Sequence, residues 1–191
     1  MGKIKMLNRI SIDGYYASMN EATFGMDWFI HDQEVDKAAH TIGGKMDTII
    51  LGATTFRLFA NFWVPVLNNP DSPSHMKETA EELTSMTKVV FSRTIQTSNW
   101  SNSQFYDRDM LQIVRQLKSG SSSDILVLGS GSIVQQLAEE GLIDEYIFIV
   151  TPIVAGEGKP LFKDVSPFPL TPVEAKTFES GNIILHYRLK Q

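Results

Sequence analysis

The sequence predicts an α/β protein with a central, mostly parallel sheet, helices on both faces and an antiparallel edge at its C-terminal end. Three observations lead there. Strand-length apolar runs at residues 48–51, 88–91 and 125–128 alternate with helix-compatible segments, the βα rhythm of a parallel sheet. Each run ends in a turn of small, hydrogen-bonding residues. The tail instead holds two strands, residues 171–177 and 183–189, that meet at Glu179-Ser-Gly-Asn182, a hairpin turn where Gly181 supplies a positive φ.

Element by element, residues 3–12 read as the first strand, followed by a long loop carrying Asp13-Gly14 and Met26-Asp27-Trp28. Residues 33–43 fit a helix, because Val35, Ala38, Ala39 and Ile42 fall at i, i+3, i+4 and i+7 and Gly43-Gly44 stops the pattern. The apolar strand 48–51 closes at Gly52 before a helix at 54–60. Residues 61–74, rich in Asn, Pro and Ser, read as a long loop, either a functional flap or a mobile connection. A helix with an acidic face follows at 75–86, then strands at 88–91 and 103–106, a helix at 109–118 and a polar turn at 119–123. The strand 125–128 leads into a helix at 131–140, and 146–150 reads as a buried strand. No repeat or boundary interrupts the pattern, so residues 1–191 are expected to form one domain.

Composition narrows the chemistry. Apolar residues make up 42% and charged residues 20% of the 191, which is globular. With 17 basic and 22 acidic residues the formal charge is −5, and no basic cluster stands out, so nucleic acid and anionic membranes are poor partners. There is no cysteine, which removes disulfides, thiol catalysis and cysteine zinc sites. His31, His40, His75 and His186 show no metal-ligand spacing, so no metal is expected. Met1-Gly-Lys-Ile-Lys-Met has neither the apolar core of a signal peptide nor a Ser/Thr at position 6 for myristoylation. The longest apolar stretch, near residues 147–155, is broken by Thr151 and Pro152. A soluble cytoplasmic protein is expected.

The chemistry concentrates at strand ends. Gly129-Ser130-Gly131-Ser132 joins an apolar strand directly to a helix, a geometry that aims free backbone N–H groups and a helix dipole at one point suited to phosphate. It is not a Walker loop, since no lysine follows. Nor is it the Gly-x-Gly-x-x-Gly fingerprint, whose third glycine would stand at Val134. Positive φ alone is the plainer explanation for its glycines. Two further strand ends, Gly52-Ala53-Thr54-Thr55 and Ser92-Arg93-Thr94, carry similar residues. In open sheets ligands bind beyond the carboxyl ends of the strands, so parallel neighbours would open all three turns on one rim. Arg93 is the cation at these turns, able to pair with phosphate or simply to be a solvated loop residue.

In this order the landmarks Ser11-Ile-Asp-Gly-Tyr-Tyr-Ala17, Ile50-Leu-Gly-Ala-Thr-Thr-Phe56, Lys88-Val-Val-Phe-Ser-Arg-Thr94, Leu128-Gly-Ser-Gly-Ser-Ile133, Gly141-Leu-Ile-Asp-Glu145 and Thr151-Pro-Ile-Val-Ala-Gly-Glu-Gly-Lys-Pro-Leu-Phe162 resemble the dihydrofolate reductase superfamily. The nearer likeness is to the C-terminal reductase domain of the bifunctional riboflavin-biosynthesis deaminase/reductase and its stand-alone bacterial relatives. The resemblance implies a three-layer fold, NADPH as reductant and a homodimer, for which the apolar strand 183–189 offers a surface. It also implies that Gly52, Thr54, Thr55, Ser92, Arg93 and Thr94 hold the adenosine end with its 2′-phosphate, and that Gly129, Ser130, Gly131, Ser132 and Ile133 hold the diphosphate. One departure matters: the family usually carries an arginine where this chain has Ala53. A lost charge-assisted bond costs on the order of 1.5–3 kcal/mol, so Arg93 must act alone or with Arg57 if NADPH is to be preferred over NADH.

Hydride transfer to a heteroaromatic carbon is helped by protonating the acceptor, and a buried carboxylate with a raised pKa is a suitable donor, supplying roughly 10²–10⁴ in rate. Asp36 is one candidate, because its interval to Gly52 resembles that of the substrate carboxylate in dihydrofolate reductases; it also reads as an ordinary first-turn acid. Asp13 is the other, or an Asp-Gly turn residue, and Asp27 is a weaker third. Thr151 matches a threonine that contacts the pterin, or is a strand-end hydroxyl. Trp28, Phe29, Phe59, Phe62 and Trp63 offer walls for a flat ring, or core. The leading expectation is an NAD(P)H-dependent reductase of a small pterin-like or pyrimidine-like compound. The alternative is a catalytically weak or inactive module on the same fold that binds a nucleotide, pterin or flavin.

Overall fold

Side-chain alternation along the strands sets the layers. The computed structural model describes residues 2–190. Along the chain run β1 (Ile4–Ile10), β2 (Tyr15–Ala17), α1 (Gln33–Gly43), β3 (Met46–Gly52), α2 (Ala53–Asn68), α3 (Ser74–Ser85), β4 (Thr87–Phe91), β5 (Ser103–Tyr106), α4 (Met110–Gly120), β6 (Asp124–Leu128), α5 (Gly131–Glu139), β7 (Glu145–Val150), β8 (Lys159–Pro160), β9 (Leu170–Thr177) and β10 (Ile183–Leu189). Eight strands form one sheet in the order β5-β4-β3-β6-β1-β7-β10-β9; β2 and β8 pair apart from it. The pairs from β5 through to β7 are parallel, whereas β7–β10 and β10–β9 are antiparallel. The predicted mostly parallel sheet with an antiparallel edge hairpin is therefore present.

Each face has its own core. Ile4, Met6, Ile50, Val89, Ile125 and Val127 point to the face covered by α4 and α5, through Val114, Ile133, Val134 and Leu137. The intervening Ile49, Leu51, Val90 and Leu126 point the other way, against Phe56 of α2 and Met86 and Trp100. Further across that second face, Ile147, Ile149 and Ile184 pack under Val35 and Ala39 of α1. This two-sided burial explains why the central strands read as continuous apolar runs rather than alternating ones. Helix α1 starts where Asp32 accepts the Glu34 N–H at 2.8 Å and stops at Gly44, whose φ is 73°.

The structure corrects several expectations. Residues 61–74 are not a loop: α2 runs on to Asn68, leaving only residues 69–73 as connection. The stripe Phe56, Phe59, Ala60, Trp63 and Val64 continues the 3.6-residue period through Asn61 and Pro65, and burying it outweighs the missing Pro65 N–H. The strand expected at 3–12 ends at Ile10, and β2 with its partner β8 had no signature strong enough to read at three and two residues. Strand β10 is hydrogen-bonded on both sides, by β7 and β9, with Ile184 fully buried and Ile183, Leu185, Tyr187 and Leu189 only partly covered. The outer edge belongs to β9, where Pro172 and Lys176 disfavour further pairing.

Candidate cofactor and substrate site

The carboxyl ends of β3, β4 and β6 finish at matched heights, since Gly52 pairs with Phe91 and Ile50 with Val127. The three turns therefore share one rim. Two of them interlock. Ser130, at a φ of 53°, turns its hydroxyl into the end of β3, where it accepts the Gly52 N–H at 2.8 Å and meets Thr55 Oγ1 at 3.0 Å. Any Cβ at Gly52 would collide with that Ser130 hydroxyl, so the approach requires glycine. The third turn is closed by Ser92, buried, whose Oγ accepts the N–H groups of Thr94 at 3.1 Å and Ile95 at 2.8 Å. Arg57 Nη2 then donates to Thr94 Oγ1 at 2.9 Å, tying α2 to this turn.

Helices α2 and α5 both begin at this rim, and neither has a side-chain cap. The first N–H groups of α2 are thus left to solvent or to a ligand, whereas at α5 the Gly131 N–H faces the Tyr16 hydroxyl and leaves that of Ser132 outward, with the positive end of a dipole behind each. Thr54, Arg93 and Ser132 are exposed there. Ser92 and Ser130 spend their hydroxyls on the turns themselves. Ile133 donates its N–H to the Ser130 carbonyl at 2.8 Å and buries its side chain in the core. At α5 the Tyr16 ring lies against Gly131 so closely that an added Cβ would sit 2.5 Å from a ring carbon. Burial pushes the Tyr16 phenol up, with the Gly131 N–H pulling the other way. The role of Tyr16 at this turn was not legible, although it lies within the Ser11–Ala17 landmark.

The carboxylates behave differently from a buried proton donor. Asp36 is exposed, with 59% of its side chain accessible, and pairs with Arg9, which also reaches the Ile30 carbonyl at 3.4 Å. The expected burial on the apolar stripe is absent because Asp36 lies one position round the helix from Val35, which takes the buried place. Asp13 accepts the Ser11 hydroxyl at 2.7 Å and the N–H groups of Ala155 and Gly156 at 3.0 and 2.8 Å. The Ser11 hydroxyl and the Ala155 and Gly156 N–H groups hold its pKa down, to about 2. It is an ionised clamp between the loops that follow β1 and β7. Asp27 is likewise lowered, by the hydroxyls of Ser18 and Thr23. Thr151 is fully buried at the end of β7 and donates to Asn182 Oδ1 at 3.3 Å. Asn182, read from sequence only as part of a turn, donates in turn to the Ile30 carbonyl at 3.3 Å and to Ser180 Oγ at 3.0 Å.

The aromatic side chains divide. Phe59 and Trp63 pack on the core, and Phe62 is exposed. Trp28 and Phe29 form an edge-to-face pair at 4.6 Å, as do Phe62 and Trp63 at 4.8 Å; among the described residues no ring contact joins the two pairs. No group of three or more metal-binding side chains occurs among the described residues, and no helix is long and apolar enough to cross a membrane.

Known proteins share this architecture. The chain is 32% identical over 179 residues to the uncharacterized protein YyaP of Bacillus subtilis (strain 168), covering 93% of this chain and 90% of that protein. Its fold is similar to that of a putative riboflavin biosynthesis protein from Shewanella sp. PV-4, with a TM-score of 0.72 and 19% identity over 99% of both chains. It is also similar to the Thermotoga maritima diaminohydroxyphosphoribosylaminopyrimidine deaminase/5-amino-6-(5-phosphoribosylamino)uracil reductase, with a TM-score of 0.65 and 16% identity over 99% of this chain and 57% of that one. The family model of the RibD C-terminal domain matches residues 3–184, and the protein belongs to that family.

Proposed function

We propose that this protein is an NAD(P)H-dependent reductase that transfers a hydride to a small heteroaromatic compound of pterin or pyrimidine type. One observation carries the reading: three strand-end turns open on one rim, with two uncapped helix N-termini and the cations Arg57 and Arg93. That donor set fits a dinucleotide, whose diphosphate and ribose phosphate are anions spaced along an extended molecule. The reduced nicotinamide, when bound, supplies the hydride. The chain's own part is positional. In this reading the turns at 52–55 and 129–132 grip the diphosphate, the turn at 92–94 receives the adenosine end, and Arg9, Asp36 and Thr151 border the acceptor. The name of the Thermotoga protein favours a pyrimidine-like acceptor.

A second reading, a binding module without turnover, is favoured by a specific observation. Asp36 is engaged by Arg9 and Asp13 by backbone N–H groups, so both carboxylates already have partners within the fold. Calorimetric titration with NADPH and NADH, followed by nicotinamide oxidation assays across pterins, pyrimidines and flavins, separates the two. The reductase reading expects binding and oxidation that depends on one substrate class. Binding with no oxidation by any class favours the module, and binding of neither nucleotide rejects the reductase.

A further inference from the structure

Strand order decides what lies beyond the three small-residue turns. Those turns follow β3, β4 and β6, and past β6 the sheet continues with β1, β7 and β10. The same rim there carries residues 11–32 after β1, residues 151–158 after β7 and the turn at 178–182 that leads into β10, since Ile183 pairs with Val150. These segments are tied to one another. The Ile12 N–H donates to the Ile153 carbonyl at 2.8 Å, Asp13 accepts from Ala155 and Gly156, and Asn182 donates to the Ile30 carbonyl at 3.3 Å. Arg9 and Thr151, which border the acceptor in the reading above, lie at this end of the rim.

Two properties set this end apart. Of the nine large apolar side chains exposed among the described residues, six stand on these segments: Ile12, Met19, Phe24, Met26, Ile30 and Val154. None of the six packs on a core cluster, so folding does not account for them. Phe24 even holds a left-handed backbone, with φ at 54°, an uncommon state for a bulky residue. The second property is charge. The same segments hold Asp13, Glu21, Asp27, Asp32, Glu157 and Glu179, and no lysine or arginine. Flanking strands add Arg9, which is held by Asp36, and Lys159. Asp13, Asp27 and Asp32 accept hydroxyl or N–H donors within the fold, so they call for no cation, yet their charge repels an anion. A phosphate monoester carries more than one negative charge near neutral pH and is poorly received here. Exposed apolar side chains gathered at a ligand-binding rim instead suit an uncharged apolar group.

We propose that the acceptor carries an uncharged aryl or alkyl substituent rather than a phosphorylated one, and that Ile12, Phe24, Met26 and Val154 cover it. This rests on the reductase reading above. The test is calorimetry on the full-length protein saturated with whichever nicotinamide nucleotide binds. The probes are pairs that share a ring and differ in the substituent: 6-benzylaminouracil and 6-ribitylaminouracil 5′-phosphate, 6-phenylpterin and neopterin monophosphate, lumichrome and riboflavin 5′-phosphate. In the ring class that binds, the apolar member is expected to bind at least roughly tenfold more tightly than its phosphorylated counterpart. Phe24→Asn, which suits the left-handed backbone, and Ile12→Gln each weaken the apolar member by about fivefold or more and shift the nucleotide by no more than about twofold. Unchanged melting temperatures, expected for exposed side chains, show that both variants are folded. Equal or tighter binding of the phosphorylated members, binding of no apolar member, or apolar binding indifferent to both substitutions overturns this assignment while the nucleotide site stands. Binding of neither nucleotide by wild type overturns the reductase reading and this assignment with it.

Discussion

Asp13 shows how a residue that reads as an acid catalyst can be a structural anion instead. In sequence it is an Asp-Gly turn residue near the nicotinamide side of the expected cleft. Its neighbours in space, Ala155 and Gly156, lie more than a hundred positions away and left no mark on the local sequence. Hydrogen bonds to the charged form lower its pKa from 3.8 to about 2. A carboxylate so depressed stabilises the fold fully above the ordinary value of 3.8 and loses that contribution as pH falls through about 2. Asp13→Asn is therefore expected to melt below wild type at neutral pH, with the gap closing in acid; melts of both proteins at neutral pH and near pH 2 check this, and a gap that persists at the acid end contradicts it. Asp36 was misread for a related reason. Periodicity places it beside the apolar stripe, but one residue's rotation decides whether a side chain faces the core or Arg9. Arg93 and Ser130 were legible because strand-end turns with small residues advertise themselves. Their division of labour was not: Ser130 locks two turns together and Arg93 stays exposed, within reach of Asp107.

Among the elements, the central strands and α1 were readable because burial imposes a period, and the misreading of α2 came from trusting punctuation over period. Asn61 and Pro65 look like a loop, yet Phe59, Trp63 and Val64 have a hydrophobic surface to cover and keep the helix going to Asn68. Helix α3 ends on a device that no local pattern announces. Lys88, fully buried on β4, donates to the carbonyls of Leu83, Thr84 and Met86 at 3.0, 2.8 and 2.7 Å and lies 4.8 Å from the Trp100 ring centre. Burial pulls its ammonium down to about 8, so it is still charged at neutral pH and able to satisfy the helix-end carbonyls. Lys88→Met removes those donors while keeping an apolar stem. It is expected to lose about 1–3 kcal/mol, with the melting temperature falling by roughly 2–4 °C for each kcal/mol. An unchanged melting curve would show that the cap is dispensable. At the other end of β4 the Ser92 N–H donates to the Tyr106 carbonyl at 2.9 Å, so the cap lies on the same strand that presents Arg93.

At the scale of the whole molecule, the two ends of the sheet are built for different ends. At the amino ends of β1 and β7, Glu145 is buried among Lys3 at 2.8 Å, His186 at 3.0 Å and Arg188 at 3.5 Å, while Lys5 reaches Asp124 and the Gly43 carbonyl, both at 2.8 Å. Charges there are matched and closed. At the carboxyl ends, α2 and α5 start without side-chain caps and, among the described residues, Arg57 and Arg93 form no ion pair, an arrangement suited to an anionic ligand. That polarity follows from parallel strands followed by helices, and it was legible as soon as the βα alternation was. What closes the rim into one unit, the Ser130 lock and the Arg57–Thr94 bridge, depends on the order in which strands lie side by side, which a linear pattern does not carry. The central claim is that the three turns act together. Amide hydrogen exchange with and without saturating NADPH tests it directly: the account predicts joint slowing at residues 52–55, 92–94 and 129–132, and slowing at one turn alone, or at the Glu145 end instead, would contradict it.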